Sequence, residues 1–182
     1  MATPKPFNLS NWIEQNRHLL VPPVGNKNIY VDSGDYIVMI VAGPNARKDY
    51  HYNETEELFY QLEGDITVFI QEEGQKKAMH LSAGDMFLLP AKTPHSPSRT
   101  KNSIGLVIER KRAGKGFTDG LLWFCENCNH KLHEAYFELH DIENDFLSHF
   151  KEFYNSQEKR TCKQCGTVME ANPAFAIKEN QS

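Results

Sequence analysis

Between Asn28 and about Arg110 the chain is a succession of short β-rich runs with no helix-forming segment among them, and this pattern limits the fold more than any other feature. The runs are Tyr36 to Val41, Leu58 to Leu62, Asp65 to Gln71, Met86 to Leu89 and Ile104 to Arg110. Turn-forming triplets separate them: Ser33-Gly34-Asp35, Glu63-Gly64-Asp65, Glu72-Glu73-Gly74 and Ala83-Gly84-Asp85. Many short strands at close spacing build a sandwich or a barrel, because a parallel α/β sheet needs a helix at each crossover. Before this block, Leu9, Trp12, Ile13, Leu19 and Leu20 recur at helical spacing behind Asn8 or Ser10 as N-cap, and Val21-Pro22-Pro23-Val24-Gly25-Asn26 ends that helix. After it, strands are expected at Leu121 to Phe124 and His133 to Leu139. A helix is expected from Asp141 to Tyr154, with Asp141 as N-cap and Ile142, Phe146, Phe150 and Phe153 on one face. The tail after Met169 reads as weakly ordered.

A chain of 182 residues can bury one well-cored domain with a small appendage, and is short for two full domains. Its net charge of −4 leaves no general nucleic-acid footprint, and the short basic run Arg110-Lys111-Arg112 reads as a solvated turn. The start, Met1-Ala2-Thr3-Pro4-Lys5-Pro6, lacks the apolar core of a secretory peptide, and no apolar run approaches the roughly 20 residues of a membrane helix. The chain is therefore expected in the cytoplasm, where thiols stay reduced, so its four cysteines call for something other than disulfides.

Two segments carry the chemistry of the β-rich block. The first runs from Gly43 through His51, Asn53 and Glu57 to Gly64; the second runs from Gly84 through Pro90 to His95. Together they resemble the two motifs of the cupins, which implies a mainly β fold, the double-stranded β-helix or jelly-roll barrel. Asn53 stands where many cupins have another histidine ligand, so His51, Glu57 and His95 remain. Two imidazoles and one carboxylate leave open positions on an octahedral metal, the arrangement of non-haem iron(II) oxygenases. Lys92 occupies a position that is usually Gly, and Arg99 one that is usually Asn. Along an extended strand His95, Pro97 and Arg99 point the same way, which aims Arg99 into the barrel beside the metal, suited to a substrate carboxylate. Glu109 alternates with Gly105 and Val107, and Arg47 shares the parity of His51, but pattern alone leaves both open as surface residues.

The resemblance then narrows. Pro22-Pro23-Val24-Gly25-Asn26, Gly43-Pro44-Asn45 with Arg47, Asp49-Tyr50-His51, Glu56-Glu57 with Phe59-Tyr60-Gln61-Leu62, Phe87-Leu88-Leu89-Pro90, His95-Ser96-Pro97 with Arg99, and Val107-Ile108-Glu109-Arg110 together resemble the 3-hydroxyanthranilate 3,4-dioxygenases, most closely the bacterial form. The resemblance implies Fe(II) on His51, Glu57 and His95, and Arg47, Glu57, Arg99 and Glu109 as catalytic. It implies 3-hydroxyanthranilate bound by Asn26, Arg47, Glu57, Pro97, Arg99 and Glu109, with O2 near Arg47. The implied product is 2-amino-3-carboxymuconate semialdehyde, which cyclises to quinolinate, a precursor of NAD made from tryptophan through kynurenine. A homodimer is implied as well, with no nucleic-acid or membrane partner.

Cys125-Glu126-Asn127-Cys128 and Cys162-Lys163-Gln164-Cys165 are two C-x-x-C pairs that can complete one tetrahedral four-thiolate site. Gly166 suits a knuckle turn of the rubredoxin kind, and iron and zinc both fit. The expected organisation is an N-terminal helix and lead-in over 1–27, the barrel over 28–120, a metal-stapled αβ extension over 121–170 and a flexible tail over 171–182. Two rival readings remain at this stage. A non-oxidative cupin binder or isomerase would leave Arg99 without a purpose, and a four-cysteine redox or electron-transfer protein would leave the His/Glu cluster unemployed.

Overall fold

The computed structural model describes residues 3–21, 25–45, 47–140 and 142–175, with 142–144 as backbone alone. Pro22, Pro23, Val24, the expected cap Asp141, the side chain of Ile142 and the end of the tail from 176 lie outside the described residues. The helix α1 (Leu9–Asn16) is capped by Asn8, whose side chain accepts from the Asn11 amide at 2.9 Å. Eleven strands follow among the described residues: β1 Asn26–Asn28, β2 Tyr36–Ala42, β3 Asp49–Asn53, β4 Glu57–Glu63, β5 Ile66–Glu72, β6 Gln75–Leu81, β7 Met86–Leu89, β8 His95–Arg99, β9 Ile104–Arg110, β10 Thr118–Phe124 and β11 Lys131–Glu138. The helices α2 (Ile142–Tyr154) and α3 (Gln157–Arg160) complete the order.

The strands form two antiparallel sheets, one ordered β1-β2-β9-β4-β7 and the other β11-β10-β3-β8-β5-β6. Within them, β2-β9-β4-β7 and β3-β8-β5-β6 are the two four-stranded halves of a jelly roll, so the expected double-stranded β-helix is the fold. Alternation explains how each strand lies. On β5, Ile66, Val68 and Ile70 are buried, and they join Phe59, Leu81, Leu89 and Val107 in the main core. The β5–β6 hairpin turns through Glu73 and Gly74, both at positive φ, as a two-residue turn of the primed kind requires.

The other elements cover the outside and one end. Ile13 and Leu20 pack with α1 on Ile40 and Ile104, on the outer face of the five-stranded sheet. β10 pairs with β3 along its length, so the C-terminal extension continues the barrel sheet, and the expected boundary at 120 falls inside this strand. Trp123 of β10 stacks on Phe153 at 4.3 Å and meets Phe150 and Tyr154 edge-on, which lays α2 against the inner face of the extension. Phe175 stacks on Tyr154 and contacts Phe150, anchoring the chain beyond Met169 up to that residue.

Candidate metal centre and substrate pocket

His51 and His95 are directly opposed in the β3–β8 ladder, and Glu57 enters from the start of β4 in the facing sheet. Their ligand atoms all lie within 4.8 Å of one another. His95 Nε2 is 3.2 Å from Glu57 Oε2, near the spacing of roughly 3 Å expected between neighbouring ligands about 2.1 Å from one ion. Each imidazole is held from behind. The Thr93 carbonyl lies 3.1 Å from His95 Nδ1, and Asp119 Oδ1 lies 2.7 Å from His51 Nε2. A partner on one ring nitrogen fixes the other as a lone pair for a metal, so the donor set fits a mononuclear ion with room for further ligands. Asn53 is not one of these ligands, but its Nδ2 donates to Glu57 Oε2 at 3.5 Å. Its Oδ1 accepts from the amide and hydroxyl of Thr55 and so shapes the turn into β4.

The electrostatics suit a cation. Burial pushes the Glu57 carboxyl up, yet His95 and His51 together hold it well below its usual value. Burial works against a charge on His95, but Glu57 beside it raises its pKa, while burial lowers that of His51. Rings close the space around the ligands. Phe59 meets His95 edge-on from the core, and Phe146 of α2 lies 5.3 Å from His51.

Arg99 enters the barrel as its parity on β8 requires, because His95, Pro97 and Arg99 pair with the buried Ile70, Val68 and Ile66. It is 5% exposed and its Nη1 has no hydrogen-bond partner. Burial pushes its guanidinium down to about 10, which still leaves it charged at neutral pH. Asn45 positions this strand end, accepting from the Arg99 amide at 2.8 Å and donating to the Pro97 carbonyl at 2.7 Å. Gly105 makes room, since a Cβ there would lie 2.9 Å from Arg99 Nη1 and 3.0 Å from Gln61 Oε1. Gln61 Oε1 is also buried without a partner. Arg99 Nη1 and Gln61 Oε1, a donor and an acceptor, thus both face the space over Gly105 without a partner.

Glu109 pairs directly with Glu57 across β4 and β9 and therefore faces inward too. Burial, with Glu57 opposite, raises its carboxyl to about 7 against the pull of Arg112. Arg47 sits just before β3, partly exposed and ion-paired with the buried Asp49, near enough for its charge to act on His95. Asn26 heads β1 at the sheet edge, exposed and paired with Val41, and no hydrogen bond among the described residues links it to the His/Glu cluster. Lys92 has φ +64°, the left-handed backbone that explains why its position usually holds Gly.

One reading of the sequence is corrected here. Arg112 is not part of a solvated turn: it is 1% exposed and bonded to both Glu109 and Asp119. Asp119, with no exposure at all, was likewise not legible as a site residue. The available signal was its place in β10, one polar residue alternating with the apolar Leu121 and Trp123.

The four cysteines form a second centre. Their sulfurs lie within 4.8 Å of one another, with Cys125–Cys165 at 3.6 Å and Cys128–Cys162 at 3.5 Å. Sulfurs about 2.3 Å from one tetrahedral ion stand roughly 3.8 Å apart, so this set also fits a metal. The two knuckles repeat each other. Cys125 donates its amide to the His130 carbonyl and accepts from the Asn129 amide; Cys162 does the same with Thr167 and Gly166. Asn129 and Gly166 occupy the same position in the two turns, at φ +59° and +74°.

Comparison with known proteins gives consistent matches. A family model described as 3-hydroxyanthranilic acid dioxygenase matches residues 1–154. A protein of Xanthomonas campestris pv. campestris named 3-hydroxyanthranilate 3,4-dioxygenase is 53% identical over 174 residues, covering 96% of this chain and 97% of the relative. One of the same name from Bacillus thuringiensis is 46% identical over 164 residues, covering 90% of each. Among solved structures, a cupin-2 domain containing protein from Shewanella frigidimarina matches with a TM-score of 0.44 and 19% identity, over 58% of this chain and 94% of that chain.

Proposed function

The chain belongs to the 3-hydroxyanthranilic acid dioxygenase family, and from that premise we propose how its residues divide the work of opening the ring of 3-hydroxyanthranilate with O2. The reaction gives 2-amino-3-carboxymuconate semialdehyde, the precursor of quinolinate in NAD synthesis. His51, Glu57 and His95 would hold Fe(II), which would supply the redox chemistry that lets an aromatic ring and dioxygen react, a reaction otherwise poor because their spin states differ.

The remaining residues bind, orient and move protons. Arg99 takes the substrate carboxylate; its buried, unpartnered Nη1 is the single observation that carries this reading. Glu109 accepts a proton from the bound phenol or amine, a task that its raised pKa suits. Arg47 offers a positive charge where oxygen gains electron density, with Asp49 holding its guanidinium. Pro97, between His95 and Arg99 on the inward face, forms part of the wall, and Asn26 closes the pocket from β1. Phe59 and Phe146 exclude water beside the imidazoles. The four-cysteine centre holds a second iron, or zinc, as a structural staple.

The active molecule is proposed as a cytoplasmic homodimer. On the outer face of the five-stranded sheet, Leu88, Leu58, Ile108 and Val38 form one cross-strand row, and Met86 and Leu88 are 63% and 54% exposed. A second copy covering this row would bury it. The unbridged cysteines suit a reducing compartment.

The test is oxygen uptake by Fe(II)-loaded protein given 3-hydroxyanthranilate, followed by the appearance and decay of the ring-opened product. Equal consumption of O2 and substrate is expected. Binding without O2 uptake would return the chain to the non-oxidative readings.

A further inference from the structure

Arg112 sits between two buried carboxylates. Its Nη1 donates to Glu109 Oε2 at 2.6 Å and to the Arg110 carbonyl at 3.1 Å, and its Nε donates to Asp119 Oδ2 at 2.9 Å and Oδ1 at 3.1 Å. Asp119 Oδ1 also reaches His51 Nε2 at 2.7 Å. An unbroken chain of charged contacts therefore runs Glu109–Arg112–Asp119–His51. It starts on β9 in one sheet, passes through the following loop, and ends on β3 in the other. It joins the proposed substrate-facing carboxylate to a proposed metal ligand without passing through the metal.

We propose that Arg112 is a positioning residue for both halves of the site: it sets which oxygen of Glu109 is presented to the substrate and, through Asp119, holds the ring of His51 in place as a ligand. For Glu109 this rests on the role assigned above. With Oε2 taken by Arg112, Oε1 is the oxygen that faces a ligand. With one ring nitrogen of His51 taken by Asp119, the ring can neither rotate freely nor present the wrong nitrogen.

The geometry favours this over a purely structural ion pair. One guanidinium shared by two buried carboxylates carries a desolvation cost that apolar side chains of the same volume would not, so it is a poor arrangement for stability alone. The contact also needs Arg rather than Lys, because only a planar fork meets two carboxylates on different edges at once. The fork is aimed at the carboxylates even though Nη2 is left without a partner.

The test uses the full chain with Arg112→Lys, Asp119→Asn and Glu109→Gln. Three quantities are measured: circular dichroism and thermal unfolding of the metal-free protein; affinity for Co(II), read from the d–d bands of the His/Glu site, apart from the thiolate bands of the cysteine centre; and kcat and KM of the iron-loaded enzyme. Folded Arg112→Lys and Asp119→Asn should bind Co(II) about 10- to 100-fold more weakly with shifted bands, as loss of an outer partner does. Arg112→Lys should also move kcat in the direction of Glu109→Gln. Unchanged Co(II) affinity and spectrum in folded Arg112→Lys and Asp119→Asn would overturn the proposal. If Arg112→Lys does not fold, the near-isosteric Asp119→Asn decides by the same measure. Normal turnover in Glu109→Gln would remove Glu109 from substrate handling and overturn that half of the proposal, leaving the Co(II) result to judge the His51 half.

Discussion

Glu57 and Glu109 stand directly opposite each other on β4 and β9, two inward carboxylates in one cross-strand pair, 7% and 5% exposed. Like charges in that relation repel, and burial strengthens the repulsion. The pair persists because each member has its own partner: the imidazole of His95 beside Glu57, and the guanidinium of Arg112 bonded to Glu109. Their pKa values are driven apart, Glu57 down and Glu109 up. Two carboxyls with diverging pKa values suit the different roles proposed for them, a ligand that stays ionised and a group that exchanges protons.

Glu109→Gln should separate stability from turnover. The amide keeps the volume and an acceptor for Arg112 while removing the repulsion with Glu57, so the metal-free protein should melt no lower than the parent. Turnover should fall by about 10²–10⁴-fold, the range for losing a positioned acid or base. Thermal scans and steady-state kinetics on one preparation check both. A lower Tm with normal turnover would make Glu109 a structural residue.

Substituting His51, Glu57 or His95 with Ala should abolish turnover and catalytic-site metal while leaving the barrel folded. The main core, from Phe59 through Leu89 to Val107, is held by its own apolar packing and meets the site where Phe59 lies edge-on to His95. Metal content per chain, circular dichroism and O2 uptake decide. Any variant that keeps normal iron and turnover loses its place among the ligands.

The cysteine centre should behave in the opposite way. It ties the turn between β10 and β11 to the segment after α3, and α2, which lies between the two cysteine pairs in the chain, stacks Phe153 on Trp123 of β10. Cys162→Ser should cost about 3 kcal/mol or more, which lowers Tm by roughly 6–12 °C in a chain of this size. Intact stability with lost turnover would make the centre catalytic.

Gly105→Ala should damage substrate binding without unfolding the strand. The new methyl would crowd Arg99 Nη1 at 2.9 Å and Gln61 Oε1 at 3.0 Å. Both are side-chain ends, so the strand can stay while Arg99 shifts. KM should rise at least several-fold with Tm little changed. An unchanged KM would show that the guanidinium is not aimed past Gly105.

How far the sequence spoke depended on where each contact partner lies. β7 and β9 were legible to the residue, because each is a short, mostly apolar run bounded by turn-forming or polar residues. β6 was not, since Gln75-Lys76-Lys77 is polar on both faces of an edge strand. β3 escaped because its inward positions, Asp49, His51 and Asn53, serve the site rather than the core. His51, Glu57 and His95 were legible from their spacing. Arg112 and Asp119 were not: their burial rests on the contact between the loop after β9 and β10, and on His51 of β3, which local pattern does not reveal.

The last prediction concerns Arg99 and the substrate carboxylate. Arg99 is buried in the barrel with Nη1 unmatched, so its desolvation is already incurred before any ligand arrives. A carboxylate that accepts a paired, charge-assisted hydrogen bond recovers that cost, and a Lys ammonium cannot reproduce the planar fork. Arg99→Ala should therefore weaken 3-hydroxyanthranilate by about 2–5 kcal/mol, the scale for truncating one member of a buried charge pair. 2-Aminophenol keeps the neighbouring oxygen and nitrogen but lacks the carboxylate. It should be a poor substrate for the parent enzyme and lose little more in the variant. The two substrates with the two proteins close a double-mutant cycle between side chain and carboxylate. A coupling of about 2 kcal/mol or more places the two in direct contact. If Arg99→Ala impairs both substrates equally, the guanidinium does not bind the carboxylate, and its unmatched N–H must be meant for oxygen or for Gln61.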